Sequence, residues 1–299
     1  MLGRTKRESP THAALAARLG GWSGVVVPEG QAPASAGVGE LIELLDLGNA
    51  VDTLGTVAAI DDLAAVLHLG HPEQPTLVLE QALLSGDPAL MVTSAQAVIP
   101  QWAWAGQANA ANGGGVAVID EAGMRDCADV LRSLGLSPRL VPGRMTISER
   151  VAIAGTDGTL VVERPRIPAG LVELSGSERF SSLPPIWYGL LESRATWPRF
   201  AAPAQVWLAF GPHDDYSGSL QPTLAVFAAA GLDLQHLRSH PSTLGPHVFF
   251  TSFACPNSEV LDSLTAQLAD SGIAHRTLAV LPGAEFLPGP SALEPRWMP

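Results

Sequence analysis

The chain has 299 residues, 46% of them hydrophobic and 15% charged, with 17 Lys and Arg against 29 Asp and Glu and a formal net charge of −12. That length accommodates two domains, or three small ones. An acidic chain with a pI near 5.0 lacks the basic stripe a phosphate backbone requires, which excludes nucleic acid as a partner.

Lys6 is the only lysine. An anionic ligand must therefore be held mainly by arginines, hydroxyls or backbone N–H groups. The stretch Met1 to Leu19 carries Arg4, Lys6 and Arg7 but no apolar run of signal-peptide length, so no secretory signal is expected. Mean hydropathy is +0.21, spread out, and no uncharged apolar stretch is long enough to span a bilayer; Ala89 to Trp104, the nearest, is broken by Thr93, Ser94, Gln96, Pro100 and Gln101. Cys127 and Cys255 are far apart and read as buried free thiols. The expectation is a cytoplasmic protein without membrane contact.

From the N-terminus, helical spacing marks His12 to Leu19, Val38 to Leu47, Asp61 to His68 and Glu121 to Leu134. Strand-like runs lie at Gly24 to Val27, Thr76 to Leu79, Gly115 to Ile119, Leu136 to Val141 and Arg150 to Ala154. This alternation predicts an α/β region with mainly parallel pairing. Ala32–Gly39 and Ala105–Gly115 read as loops, the second as a hinge between lobes.

The C-terminal third is more regular. Gln205 to Phe210 is a β-rich run, and Gly218 to Ala230 places Leu220, Leu224, Phe227 and Ala228 at helical spacing before Gly231. Leu232 to Arg238 alternates apolar and polar residues, and His247 to Phe253 is another strand. Ser258 to Ser271 is amphipathic through Val260, Leu261, Leu264 and Leu268, with Asn257 or Ser258 as N-cap and Gly272 as the stop. Ala274 to Leu281 closes a β-α-β-β-α-β order, the ferredoxin-like split arrangement.

No P-loop, GxGxxG, HExxH, GxSxG or paired CxxC occurs. His68 and His71 lack a third ligand. His236 and His240 share one face of a strand near His247, but no Cys or carboxylate in that segment completes a metal set. No metal and no cofactor is expected. Asp61-Asp62 and Asp214-Asp215 read as an N-cap pair and a loop pair. Gly218-Ser219-Leu220 opens a helix directly after a strand and loop, where free N–H groups suit the carboxylate of a small amino acid.

Residues Ser217 to Pro241, followed by His247 to Phe253, resemble the ACT regulatory domain that ends prephenate dehydratases. The family's Gly-Ala-Leu turn is matched by Gly218-Ser219-Leu220. Its Glu-Ser-Arg-Pro segment is matched by Arg238-Ser239-His240-Pro241, which keeps the serine and proline. Upstream, Leu2-Gly3 and Ser9-Pro10-Thr11-His12-Ala13-Ala14 stand where the family has Leu-Gly-Pro-Glu-Gly-Thr-Phe-Ser. Ile119-Asp120-Glu121-Ala122 stands where it has Ser-His-Pro-Gln. The family's Thr-Arg-Phe corresponds either to Thr196-Trp197-Pro198-Arg199-Phe200 or to Pro185-Ile186-Trp187. In both placements its proton-donating threonine is missing. Ser182 to Trp187 is similar to relatives that decarboxylate prephenate without losing its hydroxyl.

The resemblance implies a two-lobed, periplasmic-binding-protein-like α/β domain over residues 1–200, a ferredoxin-like ACT domain over 204–283 and a Pro-rich tail over 284–299. It implies a lyase acting on prephenate with loss of CO2, in aromatic amino-acid or related natural-product biosynthesis. Regulation would be by an aromatic amino acid, in a homodimer or homotetramer formed through the ACT domain. A non-aromatising decarboxylase, and a non-catalytic amino-acid sensor or interaction subunit, remain open beside it. Thr11, Thr196 and Arg199 are the catalytic candidates. Ser9, Thr146, Thr156 and Asp157 are the substrate-binding candidates. Gly218, Ser219, Leu220, Arg238, Ser239 and His240 are the effector candidates.

Overall fold

The structure is a computed structural model describing residues 1–22, 44–108, 115–156, 158–211, 218–243 and 247–282. In chain order the elements begin with β1 (Leu2–Arg4), α1 (Pro10–Leu19), β2 (Leu45–Asp46), α2 (Ala50–Ala59) and β3 (Ala64–Gly70). They continue with α3 (Leu77–Ser85), β4 (Leu90–Val98), β5 (Trp102–Gly106), β6 (Val116–Asp120) and α4 (Glu121–Ser133). Next come β7 (Ser137–Val141), α5 (Ile147–Ala154), β8 (Thr159–Glu163), β9 (Val172–Glu173) and β10 (Ile186–Ser193). The C-terminal part holds β11 (Ala204–Gly211), α6 (Leu220–Ala229), β12 (Leu234–Pro241), β13 (His247–Cys255), α7 (Ser258–Asp270) and β14 (Ala274–Pro282). Among the described residues no helix is long and apolar enough to cross a membrane.

The chain forms two compact units: one of Met1, 50–96 and 187–299, the other of 2–49 and 97–186. In the first, the strands run in the order β12-β13-β11-β14-β4-β10-β3. β11 pairs antiparallel with both β13 and β14, and β14 meets β4 in parallel at Ala279↔Val92. Even-numbered residues of β11 (Val206, Leu208, Phe210) pack with Phe227 of α6 and with Leu261, Leu264 and Leu268 of α7. Asn257 caps α7 by accepting from the Val260 N–H at 3.0 Å, and Gly272, at φ 70°, takes the left-handed turn after it. The β-α-β-β-α-β order and all six of its elements are present as the periodicity predicts.

In the second unit the order is β7-β6-β8-β5-β9, with β6 parallel to β7 and β8 and with β5 antiparallel to β8. One face buries Trp102, Trp104, Ile119, Cys127, Leu131 and Phe180; the other buries Val118, Val141, Leu160 and Val162 against α5. Burial raises the Cys127 thiol far above its ordinary value, so it packs as an inert apolar group.

Three N-terminal expectations are overturned. Thr76 to Leu79 opens α3 instead of forming a strand: the Thr76 hydroxyl accepts from the Leu79 N–H, and Leu77 and Val78 are exposed while Leu79, Ala82 and Leu83 are buried. Arg150 to Ala154 lies in α5, started by a reciprocal capping box between Thr146 and Glu149. Asp61 to His68, expected as a helix, is mostly β3, a strand buried on both faces whose apolar run therefore carries no alternation. Asp61 and Asp62 sit in the turn before it, with Asp62 at φ 59°. The Val38–Leu47 helix falls partly outside the described residues, and its end is β2. The Gly24 to Val27 strand, the Ala32–Gly39 loop, Asp214-Asp215 and the tail also lie outside them.

Asp120 and Arg150 organise the second unit. Their side chains, 3% and 1% exposed, meet at 2.7 Å. Asp120 also caps α4 by accepting from the Gly123 N–H at 2.8 Å. Arg150 donates to the carbonyls of Met145 at 3.1 Å and Gly143 at 3.2 Å. Removing one partner of a buried pair leaves an uncompensated charge, which costs about 3–5 kcal/mol. Arg150→Ala is therefore expected to lower the unfolding free energy by about that amount in urea titrations. A loss below about 1 kcal/mol would contradict this role.

Candidate functional site

The start of α1 gathers two of the candidate residues. Ser9 is the N-cap: its hydroxyl accepts from the His12 N–H at 3.1 Å and donates to Glu163 Oε1 at 2.8 Å. Glu163 is fully buried and also receives Arg166 at 3.4 Å, so the Ser9 hydroxyl is committed to holding α1 on β8. Thr11 is 3% exposed, and its hydroxyl has no hydrogen-bond partner among the described residues. The neighbouring His12, fully buried, accepts from the Gln101 N–H through Nε2 at 2.8 Å and lies edge-on to Trp102 at 5.1 Å. Accepting at Nε2 assigns the ring proton to Nδ1, which also lacks a partner.

Burial is the main cause that lowers the His12 pKa from 6.5 to about 4. Asp126 and Asp120 oppose it, and Arg125 adds to it. Asp126 itself receives Trp102 Nε1 at 3.1 Å and Arg125 at 2.7 Å. At neutral pH the α1 N-terminus thus offers two neutral buried donors, Thr11 Oγ1–H and His12 Nδ1–H. Most buried polar groups in folded proteins are met by protein or ordered water, so these two donors are open to water or to a ligand.

The other substrate-binding candidates lie around α5. Thr146 is exposed and spends its hydroxyl in the capping box. Thr156 is exposed beyond the C-terminal end of the same helix, and Asp157 lies outside the described residues. Thr196 and Arg199 belong to the other unit. Thr196 is exposed, and Arg199 pairs with Asp262 of α7 at 2.6 Å. In the alternative placement, Trp187 is buried in β10 and meets the ring of His71 at 6.3 Å.

Three effector candidates sit at the start of α6, and the other three alternate over the two faces of β12. Gly218 takes φ 97° and Ser219 precedes α6, where its side chain makes no cap to the helix; Leu220 is the first helical residue. Arg238 and His240 turn toward α3, where Arg238 NH1 reaches Glu80 Oε1 at 3.0 Å and His240 Nε2 reaches Glu80 Oε2 at 3.1 Å. His236 Nε2 approaches Glu80 Oε1 at 3.1 Å. Ser239, one residue out of phase, is exposed. On the same sheet face Trp207 Nε1 donates to the Pro72 carbonyl at 2.6 Å, and the Ser252 hydroxyl donates to that of Glu73. His236 and His240 do converge, but on a carboxylate; His247 stands apart, exposed at the start of β13. Among the described residues no group has the geometry of a metal site. Glu80 escaped sequence reading; its one signal is a lone acid on the apolar face of Leu77–Ser85.

Two outcomes follow. His12 binds a proton in the unfolded chain below about pH 6.5 but in the folded chain only below about 4. Stability therefore rises with pH across that window and is lost as pH falls through it, by up to about 3 kcal/mol. His12→Gln, which keeps an acceptor for Gln101, is expected to flatten this part of the wild-type profile of urea midpoint against pH. Separately, Glu80→Ala leaves Arg238 without its counter-charge and is expected to cost about 2–3 kcal/mol, with Glu80→Gln intermediate. A melting temperature unchanged in Glu80→Ala would contradict the clasp.

No protein-family model and no curated protein matches the chain. Solved structures do. The chain is similar to prephenate dehydratase from Arthrobacter aurescens, solved in complex with L-Phe, at 17% identity and TM-score 0.67, covering 98% of this chain and 93% of that one. It is similar to the prephenate dehydratase of Staphylococcus aureus at 12% identity and TM-score 0.56, over 80% and 89% of the two chains. It is also similar to GqqA, described as a novel type of quorum-quenching acylase, at 14% identity and TM-score 0.56, over 97% and 100%. At such identities likeness establishes architecture and not activity. The chain has the mixed α/β fold of the prephenate dehydratases, a two-lobed domain joined to a ferredoxin-like ACT module.

Proposed function

We infer that the chain is a prephenate dehydratase-like lyase that releases CO2 from prephenate, with Thr11 as a catalytic donor. The observation that carries this reading is the pair of buried, unpartnered donors on α1, Thr11 Oγ1 and His12 Nδ1, on a fold shared with prephenate dehydratases along almost the whole chain. Such donors stabilise the negative charge that develops as CO2 departs. Dehydration also needs an acid to protonate the departing ring hydroxyl. Thr196 and Arg199 supply none in this arrangement, since one is exposed and the other is paired with Asp262. His12, already neutral, is a weak acid at its Nδ1. This balance favours decarboxylation with the hydroxyl retained: the electron pair released with CO2 passes into the ring and is quenched by a proton at a ring carbon.

Residues 1–200 form the catalytic part, 204–283 the regulatory domain and 284–299 a tail in this reading, and the protein works in the cytoplasm. The regulatory domain takes an aromatic amino acid near Gly218–Leu220. It also assembles the chain into a homodimer or homotetramer, supported by β12 standing as the outer strand of its sheet.

Incubation with prephenate is expected to release CO2 in step with a non-aromatic product followed by NMR. Appearance of phenylpyruvate, read as its alkaline enol, would assign dehydration instead. Thr11→Val is expected to lower kcat about 100-fold. An absence of CO2 release at high enzyme concentration, together with a thermal shift by phenylalanine, would leave the sensor reading.

A further inference from the structure

We propose that Trp102, Asp126 and Arg125 are positioning residues for His12: they hold its imidazole in one orientation and so set the direction of the Nδ1 donor. This rests on the lyase reading, in which that donor meets the charge released with CO2. Among the described residues the ring makes one hydrogen bond, accepting from the Gln101 N–H at Nε2 over 2.8 Å. A single bond lets a ring pivot and turn over about its Cβ–Cγ axis. The indole of Trp102, 5.1 Å away and inclined at 78°, blocks that motion by filling the space beside it.

The indole is fixed in turn. Its Nε1 donates to Asp126 Oδ2 at 3.1 Å, and its Cζ3 packs over Gly123, where a Cβ would come within 3.2 Å of it. Asp126 Oδ1 receives Arg125 Nε at 2.7 Å, and Arg125 NH1 donates to Glu8 Oε2 at 2.8 Å. Glu8 directly precedes Ser9, the N-cap of α1. The contacts thus leave the start of α1 at Glu8, pass through α4 and β5, and return to α1 at His12. Trp102 is 1% exposed and the Asp126 side chain 6%, so water competes little for the bond between them. Inside this circuit Trp102 Nε1, Asp126 and Arg125 are spent on one another. Thr11 Oγ1 and His12 Nδ1 are left without a partner among the described residues. Donors oriented by such a network need no reorganisation when charge develops at the reacting step.

Two measurements on the full chain test this. Nitrogen NMR of the imidazoles is independent of turnover. It is expected to show His12 as one tautomer in the wild type, with the proton on Nδ1, and as a mixture of both in Trp102→Phe, which keeps a ring but not the N–H. In the same spectra His12 titrates near pH 4; Asp126→Asn is expected to lower that value and Arg125→Gln to raise it. The second measurement is CO2 release from prephenate. Trp102→Phe is expected to lower kcat about tenfold with KM held within about twofold. Added to His12→Ala it is expected to cost nothing further, because no ring remains to orient. Melting temperatures check that each variant folds. A single His12 tautomer in Trp102→Phe, or losses that multiply in the double variant, would overturn the proposal. A wild type that releases no CO2 would sink the lyase reading instead, and the tautomer would still decide whether the indole orients the ring.

Discussion

The buried contact of Asp120 with Arg150 is the constraint on which the second unit turns. One carboxylate caps α4 and at the same time neutralises a guanidinium that has almost no access to water. That guanidinium spends its remaining donors on the turn after β7. A helix start, a strand end and a loop are thus fixed by a single charge pair, and each is costly to leave unmatched in a low-dielectric interior. Arg144 rides on the loop so held. Its position follows from the pair formed by Asp120, the N-cap of α4, and Arg150 of α5.

The C-terminal module repeats this logic with a different acid. Its helical face is closed by aliphatic and aromatic packing that any amphipathic pattern would supply. Its other face is seated by polar groups: Trp207 and Ser252 on the carbonyls of Pro72 and Glu73, and His236, Arg238 and His240 on Glu80. Arg238 and His240 are both spent on an acid from their own chain. Ser239, on the opposite face of β12, stays outside that clasp.

Legibility in the sequence followed exposure. In the C-terminal module α6, α7 and β12 each keep a wet face, so their period of 3.6 or 2 survives in the residue order, while β11, buried along almost its whole length, is marked by its β-rich composition and the glycine that ends it. The elements misread upstream are those where the period fails. β3, covered on both sides, is a run of apolar residues without alternation, and α3 begins with Thr76-Leu77-Val78-Leu79, a β-rich composition overruled by its cap. For α5 a signal was present, since Thr146-Ile147-Ser148-Glu149 has the spacing of a capping box. The polar candidates were chosen by position at element ends, and element ends are where hydroxyls serve as caps. Ser9 and Thr146 do so, while Thr11, two residues past the cap, keeps its hydroxyl unpartnered among the described residues.

Composition alone determined that this is an acidic chain poor in cations, unsuited to nucleic acid, and that any anion it binds must be met by few residues. Periodicity together with β-rich composition determined the split β-α-β-β-α-β module, because α6, α7 and β12 are half-buried and write their geometry into the order of residues. The pairings that matter most were decided only by tertiary structure. Glu80 with Arg238 spans 158 positions, Ser9 with Glu163 spans 154, and Arg125 with Glu8 spans 117. No local pattern encodes which charges are spent on one another across such distances, so the sequence counts the cations and only the fold shows how they pair.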